Sequence, residues 1–403
     1  MSKRQPELII ISGGSEVVGL ALADAANRAA IPYAVLSLVP HSLLRSAPGC
    51  VAWTDLSPFL GNQHQLRDRF LHALAESSTQ RNHSIPILPT EDGSLRLLNE
   101  YRDDVLPYGE FSRARSLRMG GADKAEVVEL THRMQIVDGL TPSLILHEPS
   151  DALEALHAYG QDTIFKPALK PLDMDLSDMG VKGTKVVTRS NTYENPEQLL
   201  ARLRKAWPLS ERWIAQPRLT TGADMERSVC AVRNESIRAC QVVERAKYPY
   251  MGGTAYWVSI DQSRDLVPTA THLLDALDVV GICELSYLPD AIGVNRMIEF
   301  NPRPWLQVDL VERAGFPIVS DAIAALSKRS ISNQPLQIIP FDWIQPERAL
   351  LSTFSGKNSL HQTRAVLACS LRQSTTWGGY SSKIPGARGK LVSRLLRKAF
   401  HSR

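Results

Sequence analysis

The opening of the chain alternates apolar, strand-like runs with one amphipathic stretch. Residues 8–11 are all apolar, residues 12–15 are small, and an alanine- and leucine-rich helical pattern covers residues 17–30. A largely apolar run follows over residues 31–37. A strand, a helix and a strand in this order predict a parallel sheet with a right-handed crossover. The pattern therefore predicts an α/β fold for the N-terminal part.

The rest of the chain continues as short predicted strands and helices. Helical patterns cover residues 122–134, 151–159, 199–207 and 266–277. Strand patterns cover residues 84–90, 163–167, 213–216, 225–232, 237–244 and 255–260. A chain of 403 residues is long enough for two or three domains.

Two segments near residue 290 place polar side chains at strand spacing. Successive side chains of a strand point to opposite faces, so Glu284 and Ser286 share one face of the first segment, and Glu299 and Asn301 share one face of the second. The residues between the segments, Pro-Asp-Ala-Ile-Gly, favour a turn. The two segments therefore predict an antiparallel hairpin.

This hairpin brings oxygen ligands together on one side. Glu284, Glu299 and Asn301 supply two carboxylates and an amide oxygen, and Arg303 follows just beyond them. Mg²⁺ prefers one or two carboxylates and fills its other positions with water and phosphate oxygens, while arginine stabilises phosphate charge. The alternative is a solvated polar face on a half-buried hairpin.

Two lysines and a loop between them suggest a phosphate-binding region. Lys166 ends an apolar strand, and Lys185 follows a polar stretch, residues 168–184, that contains two glycines. Backbone N–H groups and ammonium groups of such a loop can close over a triphosphate. Arg245 precedes a Tyr-Pro and Gly-Gly turn over residues 248–253, which resembles an anion-binding edge. For each feature the alternative is an ordinary solvated surface or turn.

The N-terminal strand ends offer weaker candidates. Gly13 and Gly14 follow the first strand, but the full Gly-x-Gly-x-x-Gly spacing is absent, so we favour a tight turn over a dinucleotide site. Thr90, Glu91 and Asp92 follow the strand at residues 84–90. Ligands bind beyond the carboxyl ends of strands in open α/β sheets, so these three residues either face a substrate or cap the next helix.

Composition excludes several classes of protein. The five cysteines are scattered without a Cys-x-x-Cys pair, which indicates reduced thiols and no disulfide framework or zinc site. No apolar run approaches the length of a membrane helix, and no signal-peptide pattern opens the chain, so we expect a cytoplasmic protein.

The net charge of +4 hides an uneven distribution. Eleven of the 46 Lys and Arg lie from Arg348 onwards, where no Asp or Glu occurs, so the preceding part has 35 basic against 42 acidic residues. A loop is predicted over residues 377–383, and an amphipathic helix over residues 390–401. Such a basic helix suits an anionic membrane surface or an acidic partner; the alternative is a docked terminal helix. We predict no specific nucleic-acid binding.

The order of these features resembles the ATP-grasp superfamily. Lys166, the glycine-bearing loop, the strand Ile-Ala-Gln, Arg245, Glu284 and the segment Glu-Phe-Asn-Pro-Arg ending at Arg303 follow in the superfamily's sequence, and the similarity extends over about residues 8–328. It is closest to the carboxylate–amine ligases related to carbamoyl-phosphate synthase and amino-acid ligases. The resemblance implies an N-terminal parallel-sheet (pre-ATP-grasp) domain and a two-lobed ATP-grasp α+β domain with antiparallel sheets.

The resemblance also implies domain boundaries and residue roles. It implies an N-terminal domain over residues 1–118, lobes over 119–211 and 212–330, and a basic extension over 331–403. Lys166 and Lys185 are implied to contact the ATP phosphates, with Lys124 near them. Backbone groups of Ala215, Gln216 and Arg218 would hold the adenine, and Glu226 would lie near the ribose. Glu284, Glu299 and Asn301 would ligate Mg²⁺, with Mn²⁺ as the alternative metal. Arg245 and Arg303 would steady the transferring phosphoryl group.

These roles lead to one main functional hypothesis. The chain is expected to be an ATP-dependent ligase that activates a carboxylate as an acyl phosphate and joins it to an amine, such as an amino acid or a related metabolite. Two alternatives remain open: an ATP-binding adaptor without ligase activity, and a small-molecule phosphotransferase that needs no amine.

Overall fold

The computed structural model describes most of the chain up to residue 345 and a few residues beyond it. The described residues are 5–40, 42–78, 84–136, 139–160, 162–170, 186–187, 196–219, 226–248, 254–345, 348–349, 352, 364, 368–369 and 374–377. The helices of these residues are α1 Glu16–Arg28, α2 Gln63–Ser78, α3 Asp92–Glu100, α4 Arg102–Val105, α5 Lys124–Arg133, α6 Ala152–Tyr159, α7 Pro196–Ala206, α8 Val267–Ala276, α9 Val308–Arg313 and α10 Ile318–Leu326.

Three sheets contain the strands of the same residues. The strands are β1 Leu8–Ser12, β2 Tyr33–Ser37, β3 Cys50–Asp55, β4 Ile85–Pro89, β5 Gly109–Phe111, β6 Arg113–Ala114, β7 Leu144–Leu146, β8 Thr163–Pro167, β9 Val186–Val187, β10 Trp213–Pro217, β11 Arg227–Arg233, β12 Ile237–Tyr248, β13 Thr254–Asp261, β14 Val279–Pro289, β15 Asn295–Asn301, β16 Asp342–Ile344 and β17 Thr375–Trp377.

The N-terminal sheet is parallel, as the opening pattern predicts. Its strand order is β3-β2-β1-β4-β5, and every residue of β1 and β2 is buried. One face packs on α1, through Leu8 and Ile10, and the other packs on α2 and α3, through Ile9 and Ile11. Burial of both faces explains why these strands read as unbroken apolar runs.

Two further sheets follow this parallel domain. A small antiparallel sheet has the order β7-β10-β8-β9, and a large sheet has the order β15-β14-β11-β12-β13-β16-β17 with β6 paired to β14. The large sheet is antiparallel except where β16 pairs parallel with β17. The α/β fold class, with a parallel N-terminal sheet and antiparallel sheets after it, is therefore confirmed.

The C-terminal region departs from one prediction. Trp377 was expected in a loop, but it ends β17, because β17 adds to the edge of the large sheet beside β16. Residues 378–403, including the predicted amphipathic helix, lie outside the described residues. Within the described residues, no helix combines the length and apolarity needed to cross a membrane. The proposed domain boundaries stay a prediction.

Candidate active site

The hairpin of β14 and β15 fixes the register of the predicted ligands. Glu284 lies opposite Asn301, and Ser286 lies opposite Glu299, in antiparallel pairing. The connecting turn is closed by the side chain of Asp290, whose Oδ1 accepts hydrogen bonds from the backbone N–H groups of residues 292 and 294 at 3.1 and 2.9 Å. The structure therefore confirms the hairpin and its polar face.

A chain of hydrogen bonds joins the polar residues of this hairpin. Asn301 Nδ2 donates to Glu284 Oε2 at 3.2 Å, and Arg303 Nη2 donates to Asn301 Oδ1 at 3.2 Å. Glu284 and Asn301 are buried, with 8% and 5% of their surface exposed. We call Glu284, Glu299, Asn301 and Arg303 the hairpin centre.

Negative charge accumulates around Glu284. Burial, together with the charges of Glu226 and Glu299, raises the pKa of Glu284 to about 8, against the opposing charge of Arg303. A carboxylate surrounded in this way gains from a nearby cation. The donor set of two carboxylates and one amide oxygen fits Mg²⁺.

A buried carboxylate from the N-terminal sheet meets the hairpin centre. Asp92, the first residue of α3, accepts a hydrogen bond from Arg303 Nε at 2.5 Å and pairs with the ammonium group of Lys170. The ammonium group of Lys124 lies 4.0 Å from Asp92 Oδ2. Burial by itself would raise the pKa of Asp92, but these three cations outweigh burial and hold that pKa well below its usual value.

Lys124 connects this cluster to Glu299. Its Nζ lies 3.5 Å from Glu299 Oε1, and only 12% of its side chain is exposed. Lys124 begins α5, where Asp123 caps the helix by accepting a hydrogen bond from the backbone N–H of Ala125. The helix start therefore directs Lys124 to the hairpin centre.

Lys166 is held by a second hydrogen-bond chain. Its Nζ donates to Gln216 Oε1 at 2.9 Å and to the backbone carbonyl of Ile298 at 3.2 Å, and the residue is 4% exposed. Gln216 Nε2 donates to Ser143 Oγ at 2.9 Å. Because Ile298 directly precedes Glu299 in β15, the ammonium group of Lys166 lies beside the hairpin centre.

A cavity of about 560 Å³ lies between α5, the small sheet and the hairpin. Apolar side chains, including Val127, Ile214 and Ile298, line much of it, and Gln216 contributes a polar edge. Glu299 of the hairpin centre and Lys124 beside it also line the cavity, so both signs of charge are present on its wall. An apolar cleft with charged groups on its wall is the usual form of a small-molecule site.

Glu226 and Arg245 have partners elsewhere on the large sheet. Lys247 Nζ lies 2.8 Å from Glu226 Oε2 and 2.6 Å from Glu244 Oε2. Glu226 nevertheless lies close enough to raise the pKa of Glu284. Arg245 Nε donates to Ser259 Oγ at 3.3 Å, and no hydrogen bond between Arg245 and the hairpin centre is found in the described part.

Two residues of the predicted adenine-binding segment lie away from the cavity. Ala215 is fully buried in the core beneath the small sheet, with its neighbours Phe165 and Trp213. Arg218 lies at the end of β10 and faces Asp162, with Nη1 3.5 Å from Oδ1. Side-chain alternation explains the position of Ala215, because Gln216 points into the cavity and Ala215 points to the opposite face.

Several predictions lie outside the described residues. Lys185, the greater part of the proposed lid (residues 171–184) and the turn over residues 249–253 belong to this group. Sequence reasoning also missed Lys170, whose ammonium group pairs with Asp92. No motif marks Lys170, and its role becomes visible only through this contact across the chain.

Side chains of the protein itself accept hydrogen bonds from two backbone N–H groups just after β1. Thr90 Oγ1 accepts a hydrogen bond from the N–H of Gly13 at 3.0 Å, and Glu91 Oε2 accepts one from the N–H of Ser15 at 3.1 Å. We call Gly13, Ser15, Thr90 and Glu91 the N-terminal crevice. The tight-turn interpretation fits this geometry, because the chain itself satisfies these N–H groups.

Comparison with known proteins identifies the fold. The chain is similar to an N5-carboxyaminoimidazole ribonucleotide synthetase in complex with ADP, at 14% identity, full coverage of both chains and a TM-score of 0.61. It is similar to the corresponding synthase of Aspergillus clavatus in complex with ADP and 5-aminoimidazole ribonucleotide, at 13% identity, 84% and 81% coverage and a TM-score of 0.58.

A third similar structure is the biotin carboxylase of Campylobacter jejuni in complex with β,γ-ATP, at 13% identity, 81% and 72% coverage and a TM-score of 0.57. No protein-family profile matches the chain, and no curated protein matches its sequence. The chain has the fold of these enzymes, in agreement with the fold that its resemblance to the ATP-grasp superfamily implied.

Proposed function

We propose that this chain is an ATP-dependent ligase that activates a carboxylate as an acyl phosphate and joins it to an amine. One arrangement supports the proposal most strongly: Glu299 of the hairpin centre and Lys124 lie on the wall of an apolar cavity. Gln216 on the same wall accepts a hydrogen bond from the buried Lys166. The fold shared with synthetases and a carboxylase that bind adenine nucleotides supports it further.

The cavity accommodates the base and ribose of ATP. Its apolar walls suit a planar base, and Gln216 lies at its edge beside Lys166. From there the phosphates extend towards Lys124 and the hairpin centre. Lys124, Lys166 and Arg303 bind phosphate oxygens as cations and hold the terminal phosphate beside the attacking carboxylate, since phosphoryl transfer requires mainly positioning and charge stabilisation.

The hairpin centre holds Mg²⁺ through Glu284, Glu299 and Asn301, with Mn²⁺ as the alternative. The bound ion supplies neutralisation of the negative charge on the phosphate oxygens. Around it, Arg303 stabilises the transferred phosphoryl group, and burial of the centre excludes water that would hydrolyse the acyl phosphate. We retain Lys185, Arg245 and Glu226 as further nucleotide contacts in this proposal, together with backbone groups of residues 215–218.

The amine distinguishes this proposal from its alternatives. A phosphotransferase releases ADP and a stable phosphorylated product without an amine, and an adaptor binds MgATP without forming ADP. One similar structure holds ADP together with 5-aminoimidazole ribonucleotide, a compound that carries an amino group.

The test is a screen of carboxylates and amines, read by ADP release and by the mass of the product. We expect ADP and an amide-type product only when MgATP, a carboxylate and an amine are present together, and no turnover after chelation of the metal. Glu299→Gln is expected to lower the rate about 1000-fold, because it removes a metal ligand from the centre. Glu235→Gln, at an exposed turn of the same sheet, is the control.

ADP formation with no requirement for an amine would refute the ligase proposal and favour the phosphotransferase. Unchanged turnover in Glu299→Gln would refute the metal assignment. A separate expectation concerns the basic tail: we propose that it binds anionic surfaces, and co-sedimentation with anionic vesicles, with and without residues 385–403, tests this.

A further inference from the structure

We propose that Asp92 is a positioning residue, which holds the guanidinium of Arg303 in the orientation that receives the transferring phosphoryl group. The inference rests on the proposed function and extends it, since it assigns a part in the reaction to a residue of the N-terminal parallel sheet. Asp92 itself touches neither the phosphoryl group nor the metal in this proposal.

The guanidinium of Arg303 is fixed at all three of its nitrogen atoms. Nε donates to Asp92 Oδ1 at 2.5 Å, Nη1 donates to the carbonyl of Pro304 at 2.9 Å, and Nη2 donates to Asn301 Oδ1 at 3.2 Å. A guanidinium has five N–H groups, so these three contacts leave two N–H groups for a ligand. Asp92 provides the anionic contact among the three.

The position of Asp92 makes it a rigid anchor. It lies three residues after the end of β4 and opens α3, where a carboxylate is favoured by the helix dipole. Its side chain is 10% exposed and that of Arg303 is 14% exposed. The two residues are 211 positions apart in sequence, so this contact joins the N-terminal sheet to the hairpin centre.

The charges around Asp92 explain why Arg303 needs this partner. Lys124, Lys170 and Arg303 converge on the one carboxylate, and the charges of Lys170 and Arg303 repel each other. Without Asp92, repulsion and the loss of the Nε contact would release the guanidinium from its fixed orientation. A displacement of about 1 Å in such a group lowers a reaction rate about 100-fold.

The experiment compares Asp92→Asn with the unchanged protein. The variant has nearly the same shape and lacks the negative charge. We expect kcat for ADP release to fall about 100-fold, while the dissociation constant of MgADP, measured by calorimetry, stays unchanged because the cavity and Lys166 are untouched. The control is Asp104→Asn, which removes a half-exposed carboxylate paired with Arg67 in the same domain and is expected to leave both values unchanged.

A double-mutant cycle tests whether Asp92 acts through Arg303. In an Arg303→Gln background, the additional Asp92→Asn change should lower kcat no further, because the group that it positions is gone. If the two substitutions lowered kcat independently, so that their fold-losses multiplied in the double variant, the proposal would be overturned. Wild-type kcat in Asp92→Asn would also overturn it, and so would an equal loss of kcat and of MgADP binding, since a purely structural role affects both.

A crystal structure of Asp92→Asn provides a readout that is independent of activity. We expect the guanidinium of Arg303 to leave its contact with Asn301; an unmoved guanidinium contradicts the inference. If the wild-type protein binds no MgADP, the proposed function fails, whereas the position of Arg303 in the variant still decides whether Asp92 holds it. The two failures are thus distinguishable.

Discussion

The N-terminal crevice and the hairpin centre both place polar groups where buried strands end, yet their electrostatics differ. In the crevice, Thr90 and Glu91 accept hydrogen bonds from the N–H groups of Gly13 and Ser15. In the hairpin centre, burial and neighbouring carboxylates raise the pKa of Glu284 to about 8. The crevice satisfies its own polar groups, while the hairpin centre concentrates negative charge that a cation would stabilise.

This difference shows what separates a structural turn from a ligand site. Glycines after a strand approach phosphate only when their N–H groups are available. Here the hydroxyl of Thr90 already accepts a hydrogen bond from the N–H of Gly13, and the carboxylate of Glu91 accepts one from the N–H of Ser15. Carboxylates that crowd together in a buried place cost stability unless they bind something. The two regions therefore differ in whether their polar groups are hydrogen-bonded within the chain or crowded with like charges. This difference distinguishes them better than the glycine motif does.

The largest expected effect is a difference between two carboxylate variants, one in each region. Glu284→Gln should lower the rate of ADP release about 1000-fold and raise the Mg²⁺ concentration needed for half of the maximal rate, because the metal loses a charged ligand. Glu91→Gln should leave the dissociation constant of MgADP unchanged, because the crevice holds no nucleotide. Steady-state kinetics and calorimetry measure the two values.

The proposed difference between the two regions is wrong if the two variants behave alike. Weakened MgADP binding in Glu91→Gln would mean that the crevice takes part in nucleotide binding. Full activity in Glu284→Gln at low Mg²⁺ would mean that the crowded carboxylate has no part in holding the metal.

Glu312 is a carboxylate outside both regions. It allows the effect of pH on stability to be measured apart from the effect of pH on the hairpin centre. Burial raises the pKa of Glu312 from 4.5 to about 7. The folded state then binds this proton more tightly than the unfolded state, so the contribution to stability is complete below pH 4.5 and is lost as the pH rises to about 7. Glu312→Gln should remove a pH-dependent change of up to about 3 kcal/mol in the free energy of unfolding.

Denaturant unfolding of both proteins between pH 4.5 and pH 7 measures this effect. We expect the variant to gain stability relative to wild type as the pH rises, while its ADP release keeps the wild-type pH profile. A constant difference in the free energy of unfolding across this range would show that Glu312 has an ordinary pKa.

The smallest expected effect concerns the two glycines beside the crevice. A Cβ at Gly13 would lie 1.7 Å from Glu91 Oε1, whereas a Cβ at Gly14 would lie 3.3 Å from Glu91 Oε2. Gly13→Ala should therefore displace Glu91 from the N–H of Ser15 and cost about 1 kcal/mol, the value of a helix cap. Thermal or denaturant unfolding should show a smaller change for Gly14→Ala, and equal losses would contradict the assigned contact.

Local patterns determined much of the fold. Unbroken apolar runs predicted β1 and β2, and alternating polar residues with a short turn predicted the hairpin of β14 and β15, because both signals depend on neighbours in sequence. The edge strand β3 was missed, since much of it is exposed and its pattern is mixed. The parallel pair of β16 and β17 was missed because its strands are far apart in sequence.

The sequence by itself determined the α/β fold class, the antiparallel hairpin with its polar face, and the residue types needed to bind a metal ion and phosphate. Only the tertiary structure decided which polar and charged groups meet: Asp92 with Arg303 and Lys170, Lys166 with Gln216, and Glu91 with the N–H of Ser15. The physical reason is that periodicity fixes the face on which a side chain lies within its own element. The partner across a domain boundary depends on how complete sheets pack together.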